Sequence, residues 1–453
     1  MCQDRRRGRA GPGFLSASFV AALVLAAGAS PAAEPWTLER ALDFSLTNSP
    51  DAHLARERVA AARAALEQAD SAFWPRLQFQ SSYTRTDNPM LVFGSILNQR
   101  SYRSSLDFND VPDIDDLNTH GIVTLPLYAG GRNVAEHAAA RAGAQAARED
   151  AQAVRNALAF EVTRGFCTVL KTRQFILAAE SGVRNYETNL AIARHRFNAG
   201  SLLKTDLLDI EVRLAQAQED LVRARAAHRL SIRILRNLLG IESGEFLVSD
   251  SAPSAEVPES GDFSSRPELA AARGREEAAE AQWQAARSGY LPRVNAFGGV
   301  EYDYGFRTEG DGKSYTAGLA LQWDLWDGLL TRGKTREARA DLDAAREQTR
   351  KVRLALDLEV EQARLDLGQA TERLGVTEKA VAQAAESADL TRARFEQGLA
   401  LSTQLFDAET ALTTARVRLA EAQADRRIAV AALRKALFLP QLDPAASSDH
   451  SSK

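Results

Sequence analysis

The feature that most limits what this chain can fold into is an internal duplication. Arg196-Phe197-Asn198-Ala199-Gly200 reappears as Arg394-Phe395-Glu396-Gln397-Gly398. The same offset sets Leu203 on Leu401, Thr205 on Thr403, Leu207 on Leu405, Asp209 on Asp407 and Glu211 on Glu409 without a gap. It also carries Leu235-Arg236 onto Leu433-Arg434, Tyr128 onto Trp326 and Gly130 onto Gly328. Further back the offset grows, with Ser71, Pro75 and Arg76 matching Ser288, Pro292 and Arg293, so the first half carries an insertion between Arg76 and Tyr128. A repeat of this kind means one architectural unit used twice.

Each copy contains a proline-free run rich in Ala, Arg, Gln and Glu, over 133–198 and 331–397. At 1.5 Å per residue, each makes a helix on the order of 100 Å long, which no compact core needs. Glycines at 200 and 398 break these runs, and partner helices over 203–239 and 401–437 return antiparallel. Leu207, Ile210, Leu214, Ala217 and Leu221 recur at spacings of three and four, the pattern of a packed stripe. Small alanine-rich stripes let helices approach closely, which suits a wall of many helices. From the helices alone, a structural coiled-coil scaffold remains an open alternative.

The chain opens with Arg5, Arg6, Arg7 and Arg9, then an apolar run from Phe14 to Ala27 and small residues through Ala33. That is the layout of a secretory signal peptide, expected over residues 1–33, with cleavage near Ala29 or Ala32. Cys2 lies ahead of the apolar run, so only Cys167 is expected in the mature chain, and no intrachain disulfide can form. Cys167 itself reads as a small buried hydrophobe. A formal net charge of −4 argues against a nucleic-acid partner, which calls for a concentrated basic patch.

Between the helices lie four segments of alternating character, near 76–87, 119–128, 293–305 and 314–326. Leu77, Phe79, Ser81 and Tyr83 interleave with Gln78, Gln80, Ser82 and Thr84. Val294, Ala296, Gly298, Val300 and Tyr302 interleave with Asn295, Gly299, Glu301 and Asp303. Ala317, Leu319, Leu321 and Trp323 face away from Thr316, Gly318, Ala320 and Gln322. Period-two alternation over about ten residues with aromatic ends is the signature of a membrane barrel strand. The second segment fits it least well. Four strands cannot close a barrel, which begins at about eight, and an open edge is not tolerated in lipid. Three copies pool twelve strands, so edge closure predicts a homotrimer in the outer membrane lipid.

These residues resemble the TolC-like outer-membrane efflux protein family. The resemblance rests on the duplicated Arg-Phe-x-x-Gly block, which runs from Arg196 to Glu211 and from Arg394 to Glu409. Pro126 to Gly131 and Trp323-Asp324-Leu325-Trp326-Asp327-Gly328 add to it, and it covers nearly the whole mature chain. It implies a mainly α protein with a membrane β-barrel, in which long antiparallel helical hairpins form an α-barrel tunnel and four strands per protomer are pooled into a trimeric 12-stranded barrel. The implied partners are a periplasmic adaptor and an inner-membrane pump, and the implied function is a passive export duct for drugs, metals or other small molecules. Type I protein secretion is the alternative the family also serves.

The family docks its adaptor at the periplasmic hairpin tips, here Gly200, Ser201 and Leu202 and, in the second half, Gly398, Leu399 and Ala400. Just beyond the tips stand Asp206, Asp209 and Asp407. In a trimer these make rings of carboxylates that favour cations, and the family places its gate here. Gln404 occupies a position where a second acidic residue is common, and Ala400 one where a locking basic residue is sometimes found. The departures imply a gate held less tightly by charge.

The six histidines show no paired ligand spacing, so no metal site or cofactor is indicated. No phosphate-cradling loop or nucleophile elbow is present, which argues against an enzyme and places the energy source in a partner. The insertion over 88–118 reads as an extracellular loop, although its apolar stretch from Met90 to Leu97 has no role that the sequence assigns. The first repeat is expected over 34–240, a linker wrapping the tunnel waist over 241–267, the second repeat over 268–438 and a disordered tail over 439–453.

Overall fold

A computed structural model describes residues 35–107, 109–243, 246–249, 256–258 and 261–443. The expected signal peptide and the last ten residues lie outside these. Each repeat begins with helices: α1 (Leu38–Asn48) and α2 (Pro50–Asp70) in the first, α6 (Pro267–Arg287) in the second. Both α2 and α6 open on proline at the first turn, where its missing N–H costs nothing. Ser49 Oγ also accepts from the Asp51 amide at 3.3 Å.

Next come the strands and the long hairpins. The first repeat contributes β1 (Arg76–Thr86), α3 (Pro89–Asn98), β2 (Ile114–Ala129), α4 (Arg132–Asn198) and α5 (Lys204–Leu239). The second contributes β3 (Arg293–Tyr304), β4 (Asp311–Gln322), α7 (Leu330–Glu396) and α8 (Ser402–Ala436). Helices α4 and α7 each run 67 residues, or about 100 Å. No described helix is long and apolar enough to cross a membrane.

The core is a set of clusters strung along the hairpins. Near the middle of α4, Leu158, Val162, Phe166 and Val169 close on Leu235 and Leu239 of α5 and on α1. The matching cluster joins Val360, Ala363 and Leu367 of α7 to Val430, Leu433 and Ala436 of α8. At the far end both hairpins share one cluster, made by Tyr186, Leu190, Ala193, Ile210, Phe395, Leu405 and Phe406. Burying a side chain such as Phe395 contributes roughly 1.5–3 kcal/mol, so this shared cluster fixes one hairpin tip against the other.

The four strands form one antiparallel sheet in the order β1-β2-β3-β4. The register sorts most side chains between its faces, with Ile122 and Phe297 the apolar exceptions on the polar one. Leu77 pairs with Val123, Val123 with Gly298 and Gly298 with Ala317. Phe79, Val300 and Tyr315 share that apolar face. The other face carries Gln78, Gln80 and Ser82 with Asn118, His120, Asn295, Glu301, Asp303 and Thr316. Such a sheet shows one face to lipid and one to a polar lumen. Tyr83 and Tyr304 flank Phe306 at 6.2 and 4.9 Å, an aromatic cluster at the end of the sheet away from the helices. At the helix end, Trp74, Trp323 and Trp326 are exposed, and Trp323 Nε1 donates to the Tyr290 carbonyl at 3.1 Å.

Several boundaries differ from those read in the sequence. Strand β2 starts five residues earlier than 119, because Ile114 to Asn118 pair with Ser82 to Thr86. A bulge at Leu127 breaks its alternation, which explains its poor fit to the period. Strand β4 ends at Gln322, short of 326, where Asp324 accepts from Arg293 at 2.8 Å and Asp327 caps the Thr331 amide at 2.7 Å. The stretch from Met90 to Leu97, read as loop, is helix α3. The described part of the expected tail is packed: Arg434 donates to the Pro440 carbonyl at 2.6 Å and to Asp443 at 2.6 Å, and Gln441 is buried. In the linker, Phe246 stacks on Trp36, and the amides of Trp36 and Ser249 bond across at 2.7 and 2.9 Å.

Candidate functional site

Backbone geometry makes the two tips alike. Gly200 and Gly398 hold φ of 70° and 75°, a left-handed conformation in which a side chain is strained. The amides of Ser201 and Leu399 then return to the Arg196 and Arg394 carbonyls at 2.9 and 2.8 Å, closing each long helix in the same way. Ser201 is exposed and Leu399 strongly so, whereas Leu202 and Ala400 turn inward onto the shared cluster. Leu203 and Leu401, which sequence reasoning did not single out, are 69% and 68% exposed. The apolar surface of the tips is therefore Leu399 with this repeated leucine pair.

The acidic residues stand in the first two turns of α5 and α8. Asp206 is half-buried and its Oδ1 accepts from Ser402 Oγ at 3.2 Å, which links the two hairpins. Asp209 and Asp407 are exposed, and neither carboxylate makes a hydrogen bond or ion pair with another described residue. Gln404 is occupied locally, its Oε1 accepting from the Leu401 amide at 3.2 Å. Within one protomer, then, Asp206 is brought to the opposite tip while Asp209 and Asp407 remain available to other chains.

A second set of residues, missed in the sequence, holds the tips together. Arg196 Nη1 donates to the Phe395 carbonyl at 2.9 Å, and its guanidinium lies over the Phe395 ring at 5.1 Å. Deeper in, Glu409 is 1% exposed. It accepts from Asn185 of α4 at 2.7 Å and from Arg392 Nε of α7 at 3.1 Å. Burial lowers the Arg392 pKa, but the bond and charge of Glu409 outweigh that and raise it. Tyr186 bonds Thr410 at 3.2 Å, and Arg416 donates to Ser181 at 2.6 Å. Burial holds the Tyr186 phenol above its ordinary range. The signal available in the sequence was the duplicated arginine of the Arg-Phe block, whose reach to the other hairpin depends on tertiary packing.

Beside this ladder a groove of about 490 Å³ runs between α4, α5 and α8, lined by Phe175, Gly182, Tyr186, Arg213, Asp220 and Thr410. Cys167 is buried, and burial pushes its thiol up to about 11, so it is an unreactive core group. Among the described residues, no group of three His, Cys, Asp or Glu side chains is placed to hold a metal ion.

A sheet with one lipid-compatible face and two open edges, continuous with hairpins about 100 Å long, defines an oligomeric outer-membrane barrel extended by a helical tunnel. The model of the family described as outer membrane efflux protein matches residues 41–241 and 263–437, and the chain belongs to that family. It is accordingly a protomer of a homotrimeric outer-membrane channel with a large periplasmic portion, a class that works with periplasmic adaptors and inner-membrane pumps.

Among characterised relatives, it is 26% identical to the pyoverdine export outer membrane protein OpmQ of Pseudomonas putida, over 88% of this chain and 85% of that one. It is 24% identical to the outer membrane protein TolC of Vibrio cholerae, over 73% and 78%. The alkaline protease secretion protein AprF of Pseudomonas aeruginosa is 26% identical, over 61% and 60%. In fold, it superposes on the Campylobacter jejuni CmeC outer membrane channel with a TM-score of 0.78 at 14% identity, covering 90% of this chain and 87% of that one. For the outer-membrane channel OprN the TM-score is 0.75 at 20% identity, covering 88% and 89%.

Proposed function

We propose that the protein is a passive trimeric duct whose periplasmic mouth is a carboxylate-ringed gate, opened by an adaptor coupled to an inner-membrane pump. The observation that carries the gate is the position of Asp209 and Asp407, exposed one or two turns beyond the tips and without partners among the described residues of their own chain. Around a three-fold axis they form rings of negative charge at the narrow end, which attract cations and repel one another. Asp206 is tied to Ser402, so it braces the mouth from within the protomer. Without a basic residue at 400, the ring is held by packing more than by charge.

The adaptor is met by Gly200, Ser201, Leu202, Gly398, Leu399 and Ala400, with Leu203 and Leu401 supplying exposed apolar area. The groove beside Tyr186 and Arg213 offers a continuation of that surface along the hairpins. The apolar-out, polar-in register favours a lumen over a solid scaffold. Small-molecule cargo is favoured by the pyoverdine exporter, which aligns over most of both chains. Protein secretion is the second reading, supported by the likeness to AprF.

The test is single-channel conductance of purified trimer in planar bilayers, before and after Asp206, Asp209 and Asp407 are replaced by Ala. A small cation-selective conductance that rises several-fold and loses selectivity is expected. A sizeable conductance unchanged by replacement sinks the gate, and no conductance from either protein sinks the duct.

A further inference from the structure

The insertion that breaks the repeat, between β1 and β2, folds into helix α3, and its placement has a consequence at the opposite end of the channel. Asn88 caps the helix by accepting from the Met90 amide at 3.1 Å. One side is buried: Val92 and Ile96 pack on Ile114. Ser95 and Gln99 donate to Asp116 at 3.4 and 2.9 Å, and Gln99 also donates to the Asp115 carbonyl at 2.8 Å. Ile114 and Asp116 pair with Thr86 and Thr84, so they lie on the face shared with Gln80, Asn118 and Asp303. That is the polar, lumenal face.

The segment then crosses the width of the sheet. Gln99 accepts from Thr308, in the turn after β3, and Arg100 donates to the Lys313 carbonyl of β4 at 3.2 Å. Helix α3 therefore lies over the lumenal side at the rim farthest from the tunnel. Its other side shows Met90, Leu91 and Leu97, which are 77%, 54% and 45% exposed.

The size of the barrel decides what meets that side. Twelve strands spaced about 4.8 Å apart and tilted about 40° close at a radius of about 12 Å. A helix with its side chains is about 10–12 Å across, and three in mutual contact fill a circle of roughly 11–13 Å radius, so three copies over this rim have no room to stay apart. We infer that the three copies of α3 in the trimer meet on the three-fold axis through Met90, Leu91 and Leu97, forming an apolar plug over the extracellular mouth of the barrel. An apolar constriction of this kind gates by excluding water. The channel thus carries an outer apolar closure in series with the carboxylate-ringed mouth at its inner end.

Dipolar electron paramagnetic resonance on spin-labelled trimer tests the plug, with continuous-wave broadening for short distances and double electron–electron resonance for long ones. Labels at Met90→Cys and, separately, at Leu97→Cys report it, with Phe79→Cys on the outer face of the wall as control. The wall label is expected beyond roughly 20 Å between copies, because √3 times the barrel radius separates the backbones and the label projects outward. The plug labels are expected to be shorter, on the order of 15 Å or less given helices in contact. Plug distances equal to or longer than the wall distance overturn the proposal while leaving the trimeric barrel standing. Absence of any intermolecular distance from the wall label overturns the trimer itself, and the plug with it.

Discussion

The duplication offers a controlled experiment on burial. Arg194–Glu211 and Arg392–Glu409 occupy equivalent positions in the two repeats. The first pair is exposed in the protomer, with side chains 58% and 41% accessible, and the second is nearly buried, at 24% and 1%. Replacing Glu211 by Ala removes a solvated pair, which costs about 0.2–1 kcal/mol. Replacing Glu409 by Ala strands Arg392 and frees the Asn185 amide, and breaking a buried pair costs about 3–5 kcal/mol. The lower end applies, because Arg392 keeps Asp389 at 3.0 Å. About 3 kcal/mol is roughly a 150-fold change in a local opening equilibrium, and 0.2–1 kcal/mol is roughly 1.5- to 5-fold. Hydrogen exchange on the detergent-solubilised trimer reads both, at the Leu405 to Leu412 amides for Glu409→Ala and at Leu207 to Leu214 for Glu211→Ala. Equal acceleration in the two variants would refute the reasoning, because it would mean that burial within the protomer does not set the strength of these pairs.

Two further outcomes follow from the geometry. Gly131 and Leu329 are repeat-equivalent helix starts with φ of 83° and 71°, so Leu329 carries about 1–2 kcal/mol of left-handed strain. Leu329→Gly should raise the thermal midpoint, its gain trimmed to about 1 kcal/mol by the entropy of glycine, while Gly131→Ala should lower it. A drop for Leu329→Gly would count against the strain. Arg266 is 2% exposed and bonds Glu268 and Glu359, and Lys435 donates to Glu359 at 2.9 Å. Burial pushes the Glu359 carboxyl up, but Lys435 and Arg266 outweigh it and hold the pKa below its ordinary value. Its stabilisation is therefore full above the unfolded carboxylate range and lost as pH falls through the folded value. Glu359→Gln should lower the midpoint at pH 7 and flatten its fall on acidification, as followed by circular dichroism. An unchanged acid profile would remove Glu359 from that role.

What was legible in the sequence is what local periodicity encodes. The long helices, the glycine tips and three of the four strands follow from spacing, because an amphipathic stripe or an alternating strand repeats within a few residues. The second strand was harder to read because a bulge at Leu127 and a proline at 126 interrupt its alternation. Helix α3 was hidden because its apolar residues form a short run with no clear polar side, a pattern that fits loop, strand or helix alike. The candidate gate was placed by the family resemblance and aligned by the repeat, but neither says which of its acids finds a partner: Asp206 meets Ser402 only because the two tips pack together.

The sequence by itself determined a duplicated, secreted chain of long helices with four barrel-like strands, and the need for several copies to close them. Tertiary structure alone decided that Arg196 and Glu409 bind one hairpin to the other, that Glu211 does not, and that α3 turns over the lumen. The physical reason is that a side chain's chemistry is written in the chain, whereas its burial and its partners depend on segments far away in sequence that pack against it.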